Sequence, residues 1–76
     1  MARTILFHKN YFIEFYQAQN EKVKLKIQYV LELIKQVDRV PDKFLKHISD
    51  TDGLYEIRIE VKSDIYRIFC CFDHGN

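Results

Sequence analysis

Two arginines are the residues of this sequence whose type and spacing could do chemistry together. Arg58 and Arg67 lie in two alternating segments, "LYEIRIEV" and "IYRIFCCF", with a short turn between them. Because alternate residues of a strand face the same side, the pattern predicts a hairpin with both guanidinium groups on one face. Such a pair could bind a phosphate while the neighbouring Phe69 supports a base. The alternative is an ordinary solvated sheet face, whose cross-strand ion pairs contribute under about 1 kcal/mol each.

The register of this hairpin is predicted by keeping its apolar side chains on one face. We expect residues 62–65 to form the turn, which gives four apolar pairs: Val61–Tyr66, Ile59–Ile68, Ile57–Cys70 and Tyr55–Phe72. On the opposite face Glu60 would meet Arg67. Arg58 would meet Phe69 there. A slip of one residue would put Arg67 among the isoleucines, so the pattern selects this register.

The segment before the hairpin is predicted to form two helices. Asn10 can cap a helix over residues 11–19, and Asn20 can cap a second one that ends before Pro41. The first helix has one aromatic face, made of Tyr11, Phe12, Phe15 and Tyr16. The second has an apolar stripe at helical spacing, made of Val23, Ile27, Val30, Ile34 and Val37. This spacing is typical of a helix that packs against a core along one side.

The order of the elements predicts an α+β fold. Residues 3–8 form a short first strand, and residues 42–53 form a loop that ends in turn residues and is pinned to the core by Phe44, Leu45 and Ile48. The resulting order is β-α-α-β-β, with a helical hairpin packed on one face of a small, mainly antiparallel sheet. A chain of 76 residues is expected to be one domain over residues 1–76.

The charge of the chain is small but uneven. Formal net charge is +1, yet residues 21–46 carry seven Lys or Arg against four Asp or Glu, and residues 50–76 carry three against six. A protein that coats nucleic acid nonspecifically would be more basic, whereas a site built from a few arginines remains open. Neither a signal peptide nor an apolar stretch that could span a bilayer is visible, so the sequence predicts a cytoplasmic protein without membrane contact.

The adjacent cysteines are predicted to be reduced and structural. Cys70 and Cys71 would point to opposite faces of a strand, which argues against a mutual disulfide. A metal or redox role would need further ligands nearby, so we predict no metal and no cofactor.

The order of motifs resembles the RelE/HigB-type toxins of bacterial toxin–antitoxin systems, and most closely their phage-related HigB-like branch. The resemblance rests on "LYEIR", on "YRI" after a short turn, and on the closing "FDHGN". It implies a RelE-like fold and a ribosome-dependent messenger-RNA endoribonuclease that works without metal, by attack of a ribose 2′-hydroxyl on the adjacent phosphate. It also implies a helix-turn-helix antitoxin, the ribosome and mRNA as partners.

The resemblance assigns roles to individual residues. Arg67 matches the arginine of "YRI" and would stabilise the transition-state phosphate, while Arg58 matches the basic residue of "LYEIR" and would orient the RNA. Lysines are expected to contact RNA phosphates, the first from the hairpin turn and the others from the second helix: Lys62, Lys22, Lys24 and Lys26. The alternative for the helical lysines is a solvated helix face.

The same family continues beyond "DHGN" with another strand and a basic segment. We therefore expect a C-terminally short domain whose residues 65–72 form an exposed apolar edge, through which the chain forms a homodimer or swaps a strand. His47 and His74 could substitute as proton carriers. Two alternatives to the ribonuclease stay open: a non-catalytic truncated toxin that binds its antitoxin or dimerises, and an α+β interaction domain without an RNA link.

Overall fold

The computed structural model describes residues 3–8 and 10–73, in which two helices pack on one face of a four-stranded antiparallel sheet. The elements are β1 (Thr4–Phe7), α1 (Tyr11–Gln17), α2 (Glu21–Gln36), β2 (Leu45–His47), β3 (Tyr55–Val61) and β4 (Asp64–Asp73). The strands lie in the order β1-β4-β3-β2. The predicted α+β class, with the helical hairpin on one face of the sheet, is confirmed.

Helix α2 supplies half of the core. Asn20 caps it as predicted, because its side-chain oxygen accepts a hydrogen bond of 2.9 Å from the amide of Val23. Four of the five predicted stripe residues are buried, namely Val23, Ile27, Val30 and Ile34, whereas Val37 is the extended residue that ends the helix. The stripe packs against the buried side chains of the sheet: Ile57, Ile59, Ile68 and Cys70.

Helix α1 is shorter than predicted. Asn10 stands at its start, but its side chain makes no capping hydrogen bond, so that prediction was wrong. Phe12 stacks on Phe7 of β1 with ring centroids 4.1 Å apart, which ties the helix to the first strand. Tyr11 is 64% exposed and so does not share the packed aromatic face.

Arg3 joins the start of the chain to the end of α2. Its guanidinium donates hydrogen bonds to the carbonyl oxygens of Ile34, Val37 and Asp38. Carbonyls at a helix C-terminus lack partners within the helix and carry partial negative charge, so a cation there is stabilising. The guanidinium of Arg3 is therefore used in contacts that stabilise the fold.

The loop predicted over residues 42–53 contains a strand. In β2, Leu45 lies opposite Ile57 and Lys46 lies opposite Glu56. The prediction missed β2 because the segment is only three residues long and is followed closely by turn residues. Gly53 (φ 88°) adopts the left-handed conformation that suits glycine, in the turn that leads to β3.

The predicted hairpin register was wrong by two residues. Val61 lies opposite Asp64, and Arg58 lies directly opposite Arg67. The shift arises because Lys62 and Ser63 alone form the loop, with Lys62 at φ 56°, where a four-residue turn was expected. A shift of two residues keeps every side chain on its predicted face but changes all cross-strand neighbours.

The expected open edge of β4 is covered over part of its length. Strand β1 pairs with it from Thr4 opposite Asp73 to Phe7 opposite Cys70. Within the described residues, only the half over residues 65–69 has no strand on this side. A strand swap through all of residues 65–72 would thus have to displace β1, which corrects the expected fully exposed edge.

Candidate functional site

The predicted pair of arginines lies on the sheet face that the helices leave open. We call this the outer face, and its residues are Thr4, Leu6, Lys46, Glu56, Arg58, Glu60, Ile65, Arg67, Phe69, Cys71 and Asp73. The side chains of Arg58 and Arg67 are 37% and 52% exposed. Directly opposite residues of antiparallel strands have Cβ atoms about 4.5–5.5 Å apart, so the two guanidinium groups are close neighbours. Like charges at that spacing repel and require a counterion.

Glu56 supplies the counterion. Its Oε2 lies 2.6 Å from Nε of Arg58 and 3.6 Å from Nε of Arg67. Glu56 is only 9% exposed and is the one buried charged residue among those that the structure describes. A carboxylate at this depth is stable only because cations surround it.

The role of Glu56 was not predicted from the sequence. Glu60 was the expected partner of Arg67, but Glu60 lies opposite Ile65. The available signal was the spacing of two residues between Glu56 and Arg58, which puts both side chains on one face of β3.

Two further residues flank the carboxylate in the sheet. Lys46 of β2 and Phe69 of β4 lie opposite Glu56 on its two sides. Phe69 is 54% exposed and does not lie opposite Arg58 as predicted. The centre of the outer face therefore has two arginines paired with one carboxylate, and Lys46 and the exposed ring of Phe69 occupy the neighbouring strand positions. That arrangement has the chemistry to bind an anion with an attached ring.

An apolar groove of about 720 Å³ begins beside the arginines. It runs between α1 and the half of β4 that has no neighbouring strand, and Arg67 is among its lining residues. Most of its lining is aromatic or aliphatic, including Leu6, Tyr11, Phe12, Phe15 and Phe69. Exposed apolar surface of this kind is typical of a binding site for a protein segment or a ligand.

Three of the four lysines that were predicted to contact RNA phosphates line one hollow. Lys22, Lys26 and Lys62 line a hollow of about 660 Å³ between the start of α2 and the hairpin loop. Glu60 of the outer face is also part of its lining, so the hollow adjoins that face. Lys24 does not line it; its ammonium lies 5.6 Å from the ring centroid of Tyr16, towards α1.

Of the two predicted proton carriers, the structure describes His47, which does not lie beside the arginines. His47 lies opposite Tyr55, and the two rings are 5.1 Å apart on the helix side of the sheet. His74 lies outside the described residues. Within residues 3–8 and 10–73, no group of three or more His, Cys, Asp or Glu side chains could hold a metal ion.

The adjacent cysteines face opposite sides, as predicted. Cys70 is buried in the core, and this burial, together with the neighbouring Cys71, raises the pKa of its thiol from 9.0 to about 12. Cys71 is exposed on the outer face. Both are free thiols.

Comparison with known proteins decides the family. Residues 14–76 match the family described as phage derived protein Gp49-like (DUF891). The chain belongs to this Gp49-like family. The family is one of RelE/HigB-like toxin relatives and is associated with toxins of toxin–antitoxin systems. No curated protein and no solved structure matched the chain.

The region that matches the Gp49-like family contains β2, β3 and β4 with Glu56, Arg58 and Arg67, together with α2 and its lysines. A family of toxins implies an antitoxin as partner. No described helix of the Gp49-like chain is long and apolar enough to cross a membrane.

Proposed function

We propose that this Gp49-like chain is the toxin of a toxin–antitoxin pair and cleaves messenger RNA on the ribosome, in the cytoplasm, without a metal. The observation that carries the proposal is the direct opposition of Arg58 and Arg67 on an open sheet face. Two guanidinium groups at that spacing present several N–H donors to the oxygens of one phosphate.

The chemistry that suits such a site is an internal phosphoryl transfer. The 2′-oxygen of a ribose forms a bond to the adjacent phosphorus while the bond from phosphorus to the 5′-oxygen breaks. The 2′-hydroxyl gives up its proton and the 5′-oxygen gains one, which leaves a 2′,3′-cyclic phosphate and a 5′-hydroxyl. Arg67 would stabilise the negative charge that develops on the non-bridging oxygens, and Arg58 would hold the RNA backbone in place.

The surrounding residues support a single-stranded substrate. Phe69 offers an exposed ring on which a base could stack beside the phosphate. The hollow made by Lys22, Lys26 and Lys62 would contact further phosphates of mRNA or ribosomal RNA. Lys24 would contribute less, because it lies on another side of α2.

A second function is favoured by the apolar groove beside Arg67. In this function the chain does not cleave RNA and acts as a module that binds a helix-turn-helix antitoxin. Apolar residues of the antitoxin would fill the groove, and an acidic residue would pair with Arg67. The two functions are compatible on one surface, since an antitoxin seated there would cover the arginines.

The ribonuclease proposal is tested by expressing the chain under an inducible promoter, with Arg67→Ala and the exposed loop arginine substitution Arg39→Ala as a matched control. We expect the unaltered chain and Arg39→Ala to arrest growth and cut translated mRNA. Arg67→Ala should lower cleavage by about 10²–10³-fold, the usual effect of removing one donor to a developing oxyanion. Cut ends should carry the cyclic phosphate and the 5′-hydroxyl.

A negative result in this assay distinguishes the ribonuclease function from the antitoxin-binding function. If the unaltered chain causes no arrest and no cleavage, the ribonuclease proposal is wrong. The binding function is then tested by copurifying the chain with an antitoxin encoded beside it, where Phe69→Ser should weaken the complex and Arg39→Ala should not.

A further inference from the structure

Glu56 has a position that the proposed chemistry does not by itself explain. A carboxylate at the centre of a phosphate site repels the ligand. Yet Glu56 is buried on the outer face, within 2.6 Å and 3.6 Å of the Nε atoms of Arg58 and Arg67. Its burial excludes the interpretation that it is an incidental surface charge.

We propose that Glu56 is a positioning residue that fixes Arg58 and Arg67 as one receptor for a single phosphodiester group. This inference rests on the proposed function and adds a residue to it. Glu56 does not touch the RNA; it acts through the two arginines.

The atoms involved support this role. One carboxylate oxygen, Oε2, faces the Nε side of both guanidinium groups. A guanidinium held at Nε keeps its two Nη groups available, and these form the edge that binds phosphate oxygens in pairs. In both ion pairs the arginine atom recorded beside the carboxylate is Nε, at 2.6 Å in Arg58 and 3.6 Å in Arg67.

The sheet explains why such a holder is needed. Arg58 and Arg67 are directly opposite, so without a shared anion their like charges would drive the long side chains apart into solvent. Glu56 has the same parity as Arg58 on β3 and lies diagonally across from Arg67, so one carboxylate reaches both. Side chains fixed before binding lose less conformational entropy when the ligand arrives.

A positioning role and a simple charge effect predict opposite signs for the same substitution. Glu56→Gln removes one negative charge beside the site, so electrostatics alone would tighten the binding of an anion. If Glu56 positions the arginines, the same change weakens binding although the protein becomes more positive.

The experiment measures binding of a probe that cannot be cleaved, a dinucleotide with a 2′-O-methyl group at the first ribose. Binding is followed by NMR through the Nε–Hε signals of Arg58 and Arg67 in the unaltered chain, Glu56→Gln and Glu32→Gln. The last variant removes one exposed charge from α2 and is the matched control. We expect Glu56→Gln to weaken binding about tenfold, as for loss of a charge-assisted contact, and Glu32→Gln to leave it unchanged or slightly tighter.

A second variant covers the case in which Glu56→Gln does not fold. Glu56→Asp keeps the negative charge but shortens the side chain by one methylene, so that its carboxylate no longer reaches both Nε atoms. It should weaken binding about as much as Glu56→Gln although the net charge is unchanged, which a charge effect alone would not do.

Two results would overturn the inference. If Glu56→Gln binds the dinucleotide as tightly as the unaltered chain or more tightly, Glu56 has no positioning role, and the proposed ribonuclease stands without it. If the unaltered chain does not bind the dinucleotide at all, the paired receptor is wrong. Cleavage of mRNA, measured separately with Arg67→Ala, then decides the proposed function independently.

Discussion

The two faces of the β3–β4 hairpin are stabilised in different ways. The helix side is built from Ile57, Ile59 and Ile68, which are 0–7% exposed and pack against α2. The outer face is built from directional ion pairs around Glu56. Burial of apolar area does not depend on which apolar residue meets which, whereas an ion pair depends on atomic distance. The helix side therefore specifies the fold, and the outer face fixes the relative positions of its charged side chains.

The sharpest contrast between the faces lies in two consecutive residues. Burial raises the pKa of the Cys70 thiol from 9.0 to about 12, which lowers its thiolate fraction about 1,000-fold at neutral pH. Cys71 is exposed on the outer face. We expect a thiol reagent at pH 8 to modify Cys71 alone in the native chain and both thiols after unfolding, as measured by mass spectrometry with Cys71→Ser as control.

The raised pKa of Cys70 also gives a pH dependence of stability. The unfolded thiol ionises at lower pH than the folded one, so the contribution of Cys70 is fully present below about pH 9. This contribution to stability is lost as the pH rises towards 12.

In the labelling experiment, one result would contradict the burial of Cys70. If the reagent modified Cys70 of the native chain at pH 8 as fast as Cys71, the helix side of the sheet would be accessible to solvent.

A second contrast compares isoleucines on the two faces. Ile57→Ala should lower the free energy of unfolding by about 2–5 kcal/mol, because it leaves a cavity under α2. Ile65→Ala should cost under about 1 kcal/mol, since Ile65 is 49% exposed. Urea unfolding followed by circular dichroism measures both. Equal losses would contradict the assignment of the core to one face.

The smallest expected effects concern the lysines. Lys26→Ala should weaken binding of single-stranded RNA a few-fold and reduce the salt dependence of binding by about 0.7 in slope. Lys24→Ala should change both less, because Lys24 lies against Tyr16, outside the hollow of Lys22 and Lys62. RNA titrations at several salt concentrations compare the two variants. If both variants show the same slope of log binding constant against log salt concentration, the hollow does not bind phosphates.

The fold was largely predictable because helical and strand periods are strong signals. The stripe of α2, its cap at Asn20 and the parity of β3 and β4 follow from spacing alone. The register of the β3–β4 hairpin was not predictable. A two-residue hairpin loop usually contains glycine or asparagine, whereas this loop has Lys62 at φ 56°. Strand β2 was missed because three residues carry almost no periodicity.

For the candidate site, only the face of the hairpin on which it lies was predictable from the sequence. Parity put Arg58 and Arg67 on one side of the hairpin. Their direct opposition depends on the register, and so does the contact of Glu56 with Arg67. Side-chain burial, which distinguishes Glu56 from Glu60, is a property of the assembled sheet and has no signal in the sequence.

We propose that Arg58 and Arg67 act as one site, and a double-substitution cycle measures the coupling between them. The rate of mRNA cleavage on ribosomes is measured for Arg58→Ala, for Arg67→Ala and for the two combined. Residues that act as a unit are strongly non-additive, so the combined variant should be no more than a few-fold slower than the slower single variant. If the fold losses in cleavage rate of the two single variants multiply in the combined variant, the arginines work independently, which would contradict a single shared site.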